Sequence, residues 1–469
     1  MKEIETLSRE QLIEVILMQQ KRIKQLETMS TELLQKLNKN SRNSSKPPSS
    51  DGFKKPNKTK SERIKSQRPT GGQIGHQGHT LSFSNQPHHT INHELSTCPD
   101  CSASLEEEAP LSYTRRQVYD MPRVSIEVTE HRAQQKYCPK CERMKQATFP
   151  ESVPYPVQYG VRLQALVMYW HHYQLIPYER TVEMLRDLTG HPFGEGTIAN
   201  MSRRLYALLE PTEQAIKEQI LASACVHMDE TGLTVNGKLK WLHVYSTDQL
   251  TYYAEHEKRG TKAMEDIGIL PVYQGVAVHD AWRSYFQFDD CEHALCGAHL
   301  LRELTFLSEQ ENQEWAKDLH DLLIQMKNTA DERHGQELDL TPSELVSFEQ
   351  AYDEAVRKGA GQNPPVIRKE SGRGRIKQTP SRNLLDRLIL HRSSILAFLY
   401  DRNVPFDNNQ AERDVRMTKV KQKISGTFRS HQGSRRFCRI RGFISTAKKQ
   451  GQELLNSIER AFSGESVLS

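Results

Sequence analysis

The 469-residue sequence predicts a multidomain α/β protein: a mixed-sheet core with a helical insertion, preceded by a coiled coil, a cysteine-knuckle ribbon and a helical region. Three observations predict it. The first forty residues repeat apolar side chains at heptad spacing, and two Cys-x-x-Cys pairs fall between residues 98 and 141. From about residue 222, three strand-like segments joined by tight turns precede a helix and a further strand. A chain of this length exceeds what one core ordinarily holds, so several domains are expected.

With 36% hydrophobic and 26% charged residues the chain reads as soluble. No run approaches the ~18 apolar residues of a membrane span. The opening MKEIETLSRE has no signal-peptide pattern. A cytoplasmic protein without a membrane partner is the expectation.

Residues 1–40 read as one helix. Ser8 with Gln11 forms a capping-box pattern. Leu12, Ile16, Gln19, Ile23, Leu26, Ser30, Leu33 and Leu37 alternate four and three apart. The polar seam positions Gln19 and Ser30 weaken the coil or specify its register. Self-association into a homodimer or higher oligomer is expected; packing on the chain's own body is the other reading.

Residues 41–85 read as a flexible basic linker too poor in apolar side chains to fold alone. From Lys36 to Arg68, eleven basic residues, Lys54 and Lys55 among them, stand against Asp51 and Glu62. Ten more, from Arg413 to Arg441, stand against Asp414 alone. Charge segregated in this way suits a polyanion, most simply nucleic acid. A solvated face is the blander alternative.

Residues 86–150 hold Cys98, Cys101, Cys138 and Cys141 as CPDC and CPKC. Two such knuckles complete a tetrahedral Zn2+ site, and four thiolates leave no open position, so the role is structural. Between them RRQVYDMPRVSIEVTEH alternates as strands do. Residues 151–215 turn helical, with two helices meeting near Gly194-Glu195-Gly196 and the second carrying Arg203 and Arg204. This is compatible with a helix-turn-helix that binds DNA, and equally with a core helix pair.

Residues 216–425 change period. ASACVHMDETGLTV, KWLHVYST and LTYYAEH read as antiparallel strands, the first pair joined at Asn236-Gly237. A helix around TKAMEDIGI then leads to a fourth strand, YQGVAVHDAW. This order begins a ribonuclease-H-like mixed sheet, with Asp229 ending the first strand and Asp280 the neighbouring fourth. Paired carboxylates at adjacent strand ends repel unless a hard cation neutralises them, which suits Mg2+ or Mn2+. Two such ions about 4 Å apart serve in-line phosphoryl transfer. A third acid ordinarily comes from a later helix. Between about 300 and 400 the chain reads as a helical insertion, loosened at RKGAGQNPPVIRKESGRGRIKQTP. Residues 426–469 form a basic C-terminal region.

The motifs NSSKPPSSD, GGQIGHQGH, CPDC, CPKC, HMDETG, VHDAWRSY, CGAHLLREL and DNNQAERDVR, in this order, resemble the insertion sequence 66 family of DDE transposases almost end to end. The resemblance implies a bacterial, nucleoid-associated enzyme that cuts transposon terminal repeats and joins them to target DNA. It implies Asp229, Asp280 and Glu412 as the metal-binding catalytic triad, with companion accessory proteins often encoded alongside. A non-catalytic repressor or inactive relic, or a hydrolytic nuclease of the same fold, are the alternatives.

Within residues 406–416, Asp407 is expected to cap a helix, Glu412 to hold metal and Asp414 to lie at the surface. An Asn409–Glu412 capping box is a rival for Glu412. Arg413, Arg416, Lys419 and Lys423 are expected on DNA. His293, Cys296 and His299 are read on one helical stripe, where a second metal site is the alternative to the preferred reading of ordinary packing. Cys296 is expected to pack as a small apolar group, His299 to support the active site and Arg302 to meet phosphate.

Overall fold

The computed structural model describes residues 9–39, 81–367 and 376–465. Ser8, Lys54, Lys55 and most of the basic linker lie outside the described residues. Helix α1 (Arg9–Asn38) is continuous, and Ile16, Ile23, Leu26, Leu33 and Leu37 of its heptad seam are each more than half exposed.

Strands β1 (Gln135–Cys138) and β2 (Arg143–Gln146) form a hairpin across the second knuckle. A bridge between Thr97 and Ser104 closes the first. The alternating stretch 115–131 forms no paired strand. Its apolar side chains find no second layer, and Val118 and Val128 are each 90% exposed. Alternation alone cannot make a strand without a partner edge. The stretch is tied instead by Gln117, whose amide brackets the Ser84 backbone at 2.7 and 2.8 Å.

Helices α2 (Val161–Met168), α3 (Tyr178–Thr189), α4 (Glu195–Leu208) and α5 (Glu210–Leu221) follow. Gly190 ends α3 at φ 70°, the left-handed stop that glycine accommodates. Ala165, Met168, Ile198 and Leu205 form the core of this region.

The sheet comprises β3 (Cys225–Val235), β4 (Lys238–Ser246), β5 (Thr251–His256), β6 (Val276–His279) and β7 (Glu292–Leu295), with α6 (Thr261–Ile267) crossing between β5 and β6. Its order is β5-β4-β3-β6-β7; the first three are antiparallel and the last two run parallel to β3. Asn236 and Gly237, both at positive φ, turn β3 into β4 as expected for this dipeptide. Strand β7 departs from the sequence reading, which put His293 on one helix with Cys296 and His299. A four-residue segment such as Glu292–Leu295 carries too little periodicity to separate strand from helix, and pairing with β6 decides it. His293 therefore stands on a strand, off the stripe of Cys296 and His299.

Helices α7 (Gly297–Glu311), α8 (Glu314–Gly335), α9 (Pro342–Gln362), α10 (Pro380–Leu390) and α11 (Arg392–Tyr400) make the insertion. Leu304, Trp315, Leu319, Tyr352, Leu385 and Leu396 form a buried cluster that reaches Val278 and Ala294 of the sheet. The loosened stretch begins later than its glycines suggested, because α9 continues through Gly359 and Gly361. A Cβ at Gly359 would meet the Trp315 ring at 2.7 Å and Leu385 at 2.8 Å, so this glycine permits close helix packing. Gly359→Ala is expected to cost about 1–3 kcal/mol, read as a lower urea midpoint at unchanged slope.

Helices α12 (Asn409–Ser425), α13 (His431–Lys449) and α14 (Leu454–Phe462) complete the chain. Ala411, Val415, Phe437 and Cys438 pack on Leu233, Leu242, Val244 and Tyr253. Helix α13 also enters the helical core through Ile440, Phe443 and Ile444. The basic C-terminal region is thus partly interior. Arg439 bonds Glu213 at 2.6 Å and the Tyr206 carbonyl at 2.9 Å, and Arg441 donates to the His172 and Tyr173 carbonyls. Both side chains are buried and turned toward these partners, which removes them from any DNA-facing set.

Candidate active site

Asp229 lies within β3, not at its end, because the antiparallel β4 keeps β3 extended to Val235. The parallel neighbour β6 is shorter. Its pairing with β3 closes at His227 opposite Val278, so two residues further along each strand stand Asp229 and Asp280. Here β3 has a parallel partner on one side and an antiparallel partner on the other. Open mixed sheets gather ligands where strand order reverses in this way, beyond the carboxyl ends of the parallel strands.

The turn after β6 is tightly specified. Asp280 Oδ1 accepts from the Trp282 backbone at 2.9 Å, and Ala281 sits at φ 68°. A non-glycine residue in the left-handed region stores strain that surrounding contacts must overcome. Asp229 Oδ1 accepts from the Glu230 backbone at 2.8 Å. Burial pushes the Asp229 pKa well above the ordinary carboxylate range, and the charges of Glu230, Asp280 and Glu412 push it further. The three sequence-predicted acids are therefore electrostatically coupled.

Glu230 is a site feature that the sequence reading missed. Its carboxylate takes Arg259 Nη2 and Nε at 2.6 and 2.9 Å and the Tyr285 hydroxyl at 2.5 Å. Arg259 lies 4.2 Å from the Trp282 ring centroid and 5.1 Å from that of Trp241. Burial raises the Glu230 pKa, while Tyr285 and Arg259 act against the rise. The adjacent Asp-Glu pair was the only trace of this network in the sequence.

Glu412 stands in the first turn of α12. Buried Asn408 fixes that turn: its Nδ2 donates to the Met228 carbonyl at 2.7 Å, and its Oδ1 accepts from His227 Nδ1 at 2.9 Å. Its backbone N–H points at Cys296 Sγ, 3.1 Å away. One residue, through its side chain and its backbone N–H, thus ties β3, the start of α7 and the start of α12 together. Asp407 accepts from the Asn409 backbone at 3.0 Å, and no side chain caps the helix from Asn408. The Asn409–Glu412 capping box is absent, since Glu412 N–H bonds the Asn408 carbonyl.

Ala411, Val415 and Thr418 are buried. Asp414 is not a surface acid. It receives Lys449 Nζ at 2.8 Å, the Ser246 hydroxyl at 2.6 Å and the Thr251 hydroxyl at 3.2 Å. Helix α13 covers the flank where solvent had been expected, and the sequence interval between Asp414 and Lys449 concealed the pair. Arg413, Arg416 and Lys423 are exposed, as are Arg203 and Arg204 on α4. Lys419 turns inward to the Gly232 carbonyl.

Glu412 Oε1 lies 3.7 Å from both His299 Nδ1 and Arg302 Nη2, beyond hydrogen-bond reach. Both Glu412 Oε1 and His299 Nδ1 are buried without a hydrogen-bond partner. Burial raises the Glu412 pKa, and burial with Arg302 and Arg387 lowers that of His299 to about 3. Asp229, Asp280 and Glu412 offer only hard oxygen donors, and an oxygen of Glu412 lacks any protein partner. That donor chemistry fits Mg2+ or Mn2+.

In the ribbon, the residues following the two knuckles, Ser102 and Glu142, share a left-handed backbone at φ 58° and 49°. Backbone N–H groups of Cys101 and Cys141 lower the thiol pKa values of Cys98 and Cys138, respectively. Two like turns that favour thiolate suit Zn2+ by donor chemistry, while the four sulfurs are not gathered within 4.8 Å of one another.

A family model described as the transposase IS66 family matches residues 156–436. The zinc-finger binding domain of transposase IS66 matches residues 96–142, and a family of unknown function matches residues 2–82. No curated protein matches the chain.

Proposed function

The chain belongs to the insertion sequence 66 transposase family, and on that premise we propose that it cuts transposon ends and joins them to target DNA at Asp229, Asp280 and Glu412 on a ribonuclease-H-like core. The level placement of Asp229 and Asp280 on parallel neighbours carries this reading. The strand order β5-β4-β3-β6-β7, with an acid at the switch between parallel and antiparallel pairing, supports the fold assignment. Two Mg2+ or Mn2+ ions on these carboxylates would supply Lewis acidity at the attacking and leaving oxygens of phosphoryl transfer.

The protein's own part is positional. Asn408 holds the Glu412 turn against β3, and the Asx turn of Asp280 fixes its carboxylate at the end of β6, level with Asp229 in the strand register. Arg259 and Tyr285 neutralise and satisfy Glu230, so this neighbouring acid adds less negative charge to the pair. Arg413, Arg416 and Lys423 are exposed on the helix that bears Glu412, as a phosphate-gripping set requires. Arg203 and Arg204 offer a second basic surface on the α3–α4 pair. The knuckles hold structural Zn2+, and the uncovered seam of α1 pairs with that of a second copy.

The test is strand transfer with the flanking terminal repeats and Mg2+. Wild type is expected to join ends, and Asp280→Asn to bind DNA equally without joining them. Unaltered joining by Asp280→Asn would remove the triad. Tight end binding by a wild type that never joins would favour a repressor.

A further inference from the structure

One cluster beside the proposed catalytic acids combines soft, borderline and hard donors. Cys296 precedes the first turn of α7, His299 lies three residues on, and Glu412 reaches them from α12. Their ligand atoms all lie within 4.8 Å of one another, the one such group of three among the described residues.

Two of the three side chains are poorly satisfied by protein. His299 Nδ1 and Glu412 Oε1 are buried without hydrogen-bond partners and stand 3.7 Å apart. Two ligands each about 2 Å from one tetrahedral ion stand about 3.4 Å apart, so little movement would bring both onto a shared metal. Cys296 is buried, which pushes its thiol pKa up to about 12, and its sulfur meets the Asn408 N–H at 3.1 Å, a contact that acts against that rise; a cation at the sulfur would reverse it.

We propose that Cys296, His299 and Glu412 bind one borderline divalent ion of the zinc class, separate from the ion held by the four knuckle cysteines. Thiolate excludes Mg2+ as the natural occupant, and imidazole with carboxylate completes a three-ligand set that leaves a fourth position for water. Binding releases the Cys296 thiol proton to solvent. The Arg302 guanidinium, 3.7 Å from the same Glu412 oxygen, is the ion's competitor, so Arg302→Ala tightens the site. A consequence rests on the proposed function: an ion held here takes Glu412 away from Asp229 and Asp280, and zinc inhibits joining.

The experiment compares metal content and Co2+ absorption of the full-length wild type, Cys296→Ser and Glu412→Gln. Cys296→Ser is expected to hold one ion per chain fewer than wild type. The Co2+ difference spectrum should contain a thiolate charge-transfer band that Zn2+ abolishes. Glu412→Gln keeps the sulfur and is expected to weaken this ion by more than about tenfold. Equal metal content and superimposable Co2+ spectra in folded Cys296→Ser would overturn the site. Should that variant not fold, an undiminished Co2+ affinity in Glu412→Gln would do the same. Neither readout uses joining, so loss of the transposase reading would leave the metal site standing. Wild-type joining in Mg2+ that stoichiometric Zn2+ does not slow would sink the inhibitory consequence alone.

Discussion

Asp229→Asn is expected to abolish joining while making the metal-free protein more stable. Losing a ligand that stabilises transition-state charge is worth several kcal/mol, a fall of at least about 10^3-fold in rate. Stability moves the other way because the native carboxylate is desolvated and repelled by Glu230, Asp280 and Glu412. The raised pKa fixes the sign with pH. Between the ordinary and the raised value the folded state binds more protons than the unfolded state, so stability falls as pH rises through that window. Below the ordinary aspartate pKa the penalty is absent. Thermal melts across pH should show this decline in wild type without divalent ions. The decline should be smaller with Mg2+ and smaller in Asp229→Asn. Parallel curves for the two proteins would show that Asp229 does not carry the strain.

Two acids on one helix should give the opposite pattern from each other. Asp414→Asn is expected to destabilise the protein by about 3 kcal/mol, near the lower end for breaking a buried ion pair. The side chains of Lys449 and Asp414 retain only 13% and 15% exposure, and asparagine would leave the ammonium without its counter-charge. The other acceptors of Lys449, the Ser246 hydroxyl and the Thr247 and Leu250 carbonyls, each at 2.8 Å, are neutral. Glu412→Gln should change stability by less than about 0.5 kcal/mol, because its buried Oε1 has no hydrogen bond to lose. It should nevertheless remove joining. Urea melts and strand-transfer assays on both variants separate the two roles. A destabilised Glu412→Gln with normal joining would reverse them.

The local order of the site was legible because it rests on short-range patterns. The three strands around Asn236-Gly237, the helix after them and the strand before Asp280 all follow from alternation and turn chemistry over a few residues. Legibility failed where a few residues fit two states, as at β7, where pairing across the sheet overrode a helical reading. It failed again at 115–131, where alternation was present and a partner was not. Asp414 failed for a third reason. Its counter-ion lies 35 residues away on another helix, and no local rule distinguishes a solvated acid from one covered by a distant element.

The sequence by itself determined the element types around the acids, the two knuckles, the heptad seam and the acids available for a site. Each depends on residue type and spacing, which the chain carries in one dimension. Only the tertiary structure decided which charges are buried and what they face. It put Asp229 and Asp280 level through strand register. It turned Arg439 and Arg441 into the core, and it brought Cys296 and His299 to Glu412 across more than a hundred residues. Desolvation and Coulomb energy depend on distances through space, and those exist only after the sheet has closed.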